Sequence, residues 1–259
     1  MMDPRRLSEL QGRGAADLME IFSSVQGEGT RAGERHLFVR TAHCDLDCKW
    51  CDTPLCHRVP REAHVSLPGE AAARVLPNPV DVSEITACIA SALNALPHSA
   101  VSFTGGEPLL HHWLITAAAP TVRGCGSRVL LETDGTMPER MRSVREAVDI
   151  VSMDWKLPSA TGLGPLDAQH EAFLFEARGL ERSVKLVLTR ECTLDDVRHV
   201  ATRVAATAAD ATLILQPVTP LRGIQPPASA DLLRFQEMAL RFHPHVRVLP
   251  QLHRALALP

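Results

Sequence analysis

From residue 83 to residue 249 the chain alternates between two hydrophobic periods, and this alternation constrains the fold more than any other feature. Ile85, Cys88, Ile89, Ala92, Leu93 and Leu96 recur at helical spacing and predict a helix over 83–96. A short apolar run at 100–103 predicts a strand. Helices then follow at 109–119, 138–147, 168–178, 194–208 and 229–242. Strands fall between them at 128–131, 149–153, 183–188, 211–215 and 246–249. Strand and helix repeated about six times with short links imply a parallel sheet. Polar or glycine-rich clusters end the strands: Thr104-Gly-Gly-Glu107, Glu132-Thr-Asp-Gly135, Asp154-Trp-Lys156 and Gln216-Pro-Val-Thr219. Parallel β/α barrels assemble their sites from loops at that end. Six units are too few to close an eight-fold barrel, so the expected fold is α/β, a partial, open parallel β/α barrel. An open doubly wound sheet obeys a similar rule.

Upstream, the run 36–43 predicts the first strand, and a cysteine-rich loop follows it. Residues 54–80 are rich in proline and show no clear period, so a long loop insertion is expected there, functional or mobile. Residues 1–18 carry no sustained pattern and are expected to form an N-terminal extension, mobile or with a short helix over 15–19. One domain over 19–259 suits the length of 259 residues. A chain that is 45% hydrophobic and 22% charged, with net charge -3, has an ordinary globular composition. That balance argues against nucleic-acid and membrane partners. No run of 18 apolar residues is present and Met1-Met-Asp-Pro-Arg-Arg has no signal-like apolar stretch, so a cytoplasmic location is expected.

Three of the seven cysteines, Cys44, Cys48 and Cys51, lie within one short loop at x3 and x2 spacing. An iron–sulfur cluster of four irons usually takes four thiolates, so three would leave one iron open to another ligand. Zinc is the competing reading, because Cys56 and His57 follow closely. Structural zinc usually pairs two cysteine knuckles, however, and the second is missing. Cys88, Cys125 and Cys192 stand apart and are read as small hydrophobes.

With Trp50 before its last cysteine, the trio resembles the radical S-adenosylmethionine superfamily. Thr104-Gly-Gly-Glu-Pro108 resembles that superfamily's glycine-rich turn. The stretch Glu20-Ile-Phe-Ser-Ser-Val-Gln-Gly-Glu-Gly29, then Phe38-Val-Arg40, Cys51-Asp-Thr53, Leu131-Glu-Thr-Asp-Gly-Thr136 and Pro250-Gln-Leu-His253, is similar to the 7-carboxy-7-deazaguanine synthase family over about residues 20–259. The resemblance implies a [4Fe-4S] cluster on the three thiolates, with S-adenosylmethionine chelating the open iron, and Mg²⁺ on Thr53. It implies a lyase that converts 6-carboxy-5,6,7,8-tetrahydropterin to 7-carboxy-7-deazaguanine in queuosine and archaeosine biosynthesis. A 5′-deoxyadenosyl radical would take a hydrogen from C6, the ring would contract and ammonia would leave.

The same resemblance assigns residues. Gly106, Glu132, Asp134, Asp154, Trp155, Lys156 and the run Gln216, Pro217, Val218 and Thr219 are expected around S-adenosylmethionine, with Trp50 and Asp52 at its adenine. Val25, Gln26, Gly27 and Thr104 are expected at the pterin, Arg40 and His253 near its carboxylate, and the terminal carboxylate of Pro259 at its donor edge. An electron donor such as flavodoxin or ferredoxin and a homodimer are further expectations. No side-chain acid or base is assigned. Departures are also visible. Asp134 stands where members often have Asn, Asp154-Trp-Lys156 where they have Ser-Pro-Lys, and His43 where many have Gly. A glycyl-radical enzyme activase and a non-catalytic zinc module are the competing functions. The first would need a protein-docking surface instead of a pterin pocket.

Overall fold

The computed structural model describes residues 4–258. The chain runs through helix α1 (Pro4–Arg13), strands β1 (Ala15–Ala16), β2 (Leu18–Val25), β3 (Arg35–Thr41), β4 (Glu62–Ser66), β5 (Arg74–Pro77) and β6 (Val80–Asp81), and then helix α2 (Val82–Ala95). The alternation follows: β7 (Ala100–Gly105), α3 (His112–Gly124), β8 (Arg128–Thr133), α4 (Pro138–Val144), β9 (Ile150–Asp154), α5 (Pro158–Thr161), α6 (Asp167–Glu176), β10 (Glu181–Leu188), α7 (Leu194–Thr207), β11 (Thr212–Pro217), α8 (Ser229–Leu240), β12 (Val246–Val248) and α9 (Leu252–Ala255). The predicted βα alternation is present at every unit, with boundaries moved by a few residues.

Ten strands form one sheet in the order β12-β11-β10-β9-β8-β7-β3-β2-β4-β5. All neighbours from β3 to β12 are parallel. β12 and β5 are the two free edges, so the barrel is open, as expected. Helices α2, α3, α4, α6, α7 and α8 contact one another in that order and form a layer along the sheet. The period of two in each strand divides its side chains between the two faces. Phe103, Leu131, Met153, Leu186 and Leu215 join Ile89, Ile115, Phe173 and Val200 of the helices in one buried apolar cluster. Thr104, Glu132, Asp154, Lys185 and Gln216, at the alternate positions, line a cavity on the other face.

Two expectations are corrected. In the segment before residue 19 the helix lies at Pro4–Arg13 and not over 15–19. Leu7 and Leu10, one helical turn apart, pack with Ala15, Leu110, Trp113 and Met137. Residues 15–19 are extended because Ala15 and Ala16 pair with Asp81 and Val80, and β2 pairs with β3. An irregularity between Leu18 and Glu20 breaks the alternation that would have marked β2 in the sequence. Residues 54–80 are not one loop. Within them β4 and β5 form an antiparallel pair on the edge of the sheet, and Ala63, Val65 and Leu76 enter the core.

Buried histidines make the fold acid-sensitive. Burial pulls His111 down to about 3 and His170 down to about 4, against an ordinary 6.5. Between those values the unfolded chain binds more protons than the folded one. Stability is therefore full above pH 6.5 and falls as pH drops, with a slope approaching roughly 2.7 kcal/mol per pH unit for two protons. Urea midpoints at pH 7 and pH 5 should differ strongly. Equal midpoints would mean that both imidazoles titrate in the fold as they do in the unfolded chain.

Candidate active site

The cavity opens at the C-terminal ends of β7 to β11 and measures about 390 Å³, within the range of small-molecule sites. Cys44, Cys48 and Cys51 line it, each half-buried and none in a disulfide. A hydrogen bond from Cys51 N to Cys48 O, 3.0 Å, closes the loop. Burial pushes the Cys48 thiol up to about 12, against the opposing pull of Lys156. Trp50 follows in the same loop, with Lys156 Nζ 4.5 Å from its ring centre. Thr53 Oγ1 donates to Asp52 Oδ1 at 3.0 Å, so two oxygens stand together where the loop enters the short turn Pro54–His57.

The glycine-rich turn is pressed against the cysteine loop. Gly105 has φ +132, and a Cβ on Gly106 would come within 1.9 Å of the His43 carbonyl oxygen. Only glycine permits that approach. Glu107 turns inward and accepts from Leu109 N, Thr133 Oγ1 and Asp134 N. Burial raises both Glu107 and Asp134 above the usual carboxylate range.

Glu132 accepts from Gln26 Nε2 at 2.7 Å and from Thr104 Oγ1 at 2.8 Å. It thus stands with Gln26 and Thr104, the residues expected at the pterin, and not apart from them. Arg40 lines the cavity with its Nε 2.7 Å from Glu20 Oε1. Gly27 is covered by the C-terminal segment: Leu252 N donates to Gly27 O at 2.8 Å, and a Cβ on Gly27 would meet His253 Nδ1 at 1.9 Å.

A polar chain also lines the cavity. Gln251 Nε2 donates to Glu28 Oε1 at 2.6 Å, and the other Glu28 oxygen pairs with Lys185. Asp154 Oδ2 lies 3.6 Å from Lys185 and 3.0 Å from Lys156. Burial alone would raise Glu28, but the Lys185 cation outweighs it and holds Glu28 at about 2. Glu28, Lys185 and Gln251 are site residues that sequence reasoning did not single out. Lys185 carried a signal, since a lone lysine inside the apolar run Val184-Lys-Leu186 must find a partner.

Most residues expected at the site meet here: Val25, Gln26, Gly27, Arg40, Trp50, Asp52, Thr53, Thr104, Gly106, Glu132, Asp134, Asp154, Lys156, Gln216, Val218, Thr219 and His253 all line the cavity. Two do not. Trp155 is buried on the helix side, 4.8 Å from the His170 ring, and Pro217 is absent from the lining. The reason is strand alternation: Asp154 and Lys156 face in, as do Gln216 and Val218, so the residue between each pair faces out. Pro259 lies outside the described residues.

Trp50 Nε1, Asp134 Oδ2, Asp154 Oδ1 and Gln216 Oε1 are buried polar atoms without a partner, and all four residues line this cavity. Buried polar atoms normally hydrogen-bond, so each of these is available to a water or to a polar group in the cavity. Three thiols, unpaired polar atoms and a glycine cradle fit a thiolate-bound cluster with a polar cofactor beside it.

No family model matches the chain. The 7-carboxy-7-deazaguanine synthase of Geobacter sulfurreducens is 36% identical over 244 residues, covering 92% of this chain and 96% of that protein. The enzyme of the same name from Methanocaldococcus jannaschii is 30% identical, covering 93% and 99%. Among solved structures, QueE from Escherichia coli aligns with a TM-score of 0.62 at 20% identity over 97% of this chain and 100% of that one. A radical SAM methyltransferase from Sphaerobacter thermophilus aligns at 0.57, with 14% identity, over 96% and 82%. The two structures share the fold, and the relatives share the sequence across its length: the chain belongs to the 7-carboxy-7-deazaguanine synthase family of radical S-adenosylmethionine enzymes.

Proposed function

We propose that this chain converts 6-carboxy-5,6,7,8-tetrahydropterin to 7-carboxy-7-deazaguanine with loss of ammonia. The observation that carries the reading is one cavity lined both by the three-thiol loop and by a set of planar polar groups built around Glu132. Cys44, Cys48 and Cys51 would hold the [4Fe-4S] cluster. Gly106, Asp134, Asp154, Lys156, Gln216, Val218 and Thr219 would surround S-adenosylmethionine, with Trp50 and Asp52 toward its adenine. When bound, these groups supply an electron and a radical able to abstract hydrogen.

The chain's own residues bind and orient. Arg40 offers a guanidinium to the pterin carboxylate, a planar and bidentate match. Glu132, already accepting from Gln26 and Thr104, has the geometry to accept from the donor edge of the pterin. We therefore assign it to substrate and not to cofactor. His253 and the segment that closes over Gly27 exclude water from that end of the cavity. Thr53 offers a hard oxygen to Mg²⁺, which keeps water and substrate oxygens as its other ligands. A flavodoxin- or ferredoxin-like electron donor, a homodimer and a cytoplasmic location belong to the same reading. The unpaired cysteines agree with a reducing compartment. No helix among the described residues is long and apolar enough to cross a membrane.

Anaerobic turnover with the carboxytetrahydropterin, read by product mass and ultraviolet spectrum, tests the proposal. Absence of the deazaguanine from fully loaded enzyme would refute it. Arg40→Ala should weaken substrate binding by roughly 2–5 kcal/mol, read as a rise in Kd. An unchanged Kd would mean that another cation holds the carboxylate.

A further inference from the structure

His43 precedes the first cysteine of the loop and has φ +73, in the left-handed region. For a residue with a Cβ this conformation costs about 1–2 kcal/mol, so the surrounding structure must impose it. Its backbone is held on both sides: His43 N donates to Cys56 O at 2.6 Å, and His43 O accepts from Glu107 N at 2.8 Å. The Glu107 amide belongs to the glycine-rich turn. Residue 43 therefore couples that turn to the cysteine loop.

The side chain is held as well. His43 Nε2 lies 2.9 Å from Asp17 Oδ2. Asp17 is fully buried between β1 and β2, and both its oxygens are engaged by the Arg6 fork: Nε to Oδ2 at 2.7 Å and Nη2 to Oδ1 at 2.6 Å. Arg6 lies on α1. Behind the pair, Asp17 N donates weakly to His111 Nε2 at 3.4 Å, and the His111 ring stacks on His43 with centres 5.7 Å apart. Trp113 backs His111 at 5.4 Å and is tied by its Nε1 to Ala15 O at 2.9 Å. Asp17, His43 and His111 are close enough together to ligate a cation. The Arg6 guanidinium already supplies positive charge to both oxygens of Asp17, so the cluster is an ion-paired anchor.

We propose that Arg6, Asp17 and His43 form a positioning chain that holds the backbone ahead of Cys44 in its left-handed turn, so that the N-terminal helix controls how firmly the loop grips its cluster. The proposal rests on the reading that the three cysteines are cluster ligands. Without the anchor, residue 43 relaxes toward negative φ. That motion carries Cys44 with it and pulls the His43 carbonyl away from Glu107 N–H.

The test uses reconstituted holoenzyme under anaerobic conditions and reads the rate at which a ferrous chelator extracts iron. The electron paramagnetic resonance spectrum of the reduced cluster is recorded alongside, together with the thermal midpoint of the metal-free chain. Asp17→Asn and Arg6→Gln should each release iron roughly 10–100-fold faster, as losses of outer-shell partners do, with an altered resonance spectrum. His43→Ala should do the same. His43→Gly should recover part of the loss, because glycine adopts the left-handed turn freely. In the His43→Gly background, Asp17→Asn should add nothing to the extraction rate. A merely structural anchor would lower the metal-free midpoint and leave the spectrum alone. Unchanged extraction in Arg6→Gln and Asp17→Asn overturns the proposal, as does an equal acceleration by Asp17→Asn in both backgrounds. Failure of the underlying reading looks different: the parent takes up no iron and sulfide, or Cys44→Ala retains both.

Discussion

Cys48→Ala protein, reconstituted without oxygen, is expected to retain less than about one iron per chain where the parent holds about four. Turnover should fall below detection, at least ~1000-fold. The physical reason is that the change removes one of the three thiolates this loop supplies at x3 and x2 spacing. The nearest spare thiol, Cys56, lines the same cavity, buried, with its S–H donated to the Cys44 and Cys51 sulfurs. Cys88 and Cys192 are buried in the helix-side core, where burial raises both thiols. Iron and sulfide analysis with the visible spectrum decides the outcome. Four irons in Cys48→Ala would move the cluster away from this loop. Zinc without sulfide in the parent would replace the radical reading by a structural metal.

Lys185→Ala is expected to destabilise the fold by about 3–5 kcal/mol, the usual cost of removing one partner of a buried ion pair. Lys185 faces two carboxylates, Glu28 and Asp154, and Glu28 is held at about 2 largely by this cation. Removing it leaves the Glu28 charge in the cavity wall without its cation, while Asp154 keeps Lys156. A second change, Glu28→Gln, should restore part of the loss. Urea unfolding of the single and double variants measures both. A Lys185→Ala cost below about 1 kcal/mol would show that water reaches the pair. The same pairing has a pH signature. Glu28 titrates at about 2 in the fold against an ordinary 4.5, so its contribution is present above pH 4.5 and lost as pH falls toward 2. That window overlaps the lower end of the one set by His111 and His170, so below pH 4.5 the losses add and the acid transition steepens.

The βα units were legible because each strand and helix carries its own hydrophobic period. The cysteine trio and the Gly105-Gly106 turn were legible because their spacing lies within a few residues. Where partners are distant in sequence, legibility ended. Nothing local marks β2 as a strand, since its pairing with β3 and its irregularity are decided across the sheet. Nothing local marks Arg6, since its carboxylate partner is 11 residues away, beyond the helix and between β1 and β2. Trp155 and Pro217 were misplaced for a simpler reason. A run of adjacent residues was treated as one site, although a strand sends neighbours to opposite faces.

What the sequence by itself determined is the open parallel barrel, the end at which the site lies, the three thiols and the family. These depend on short-range pattern, which survives in one dimension. Only the tertiary structure decided that Glu132 joins Gln26 and Thr104, that Glu28, Lys185 and Gln251 form one wall, and that His43 is tied through Asp17 to the first helix. Each of those is a polar contact between remote segments. Burial makes such a partner obligatory, and the fold alone chooses which one it is.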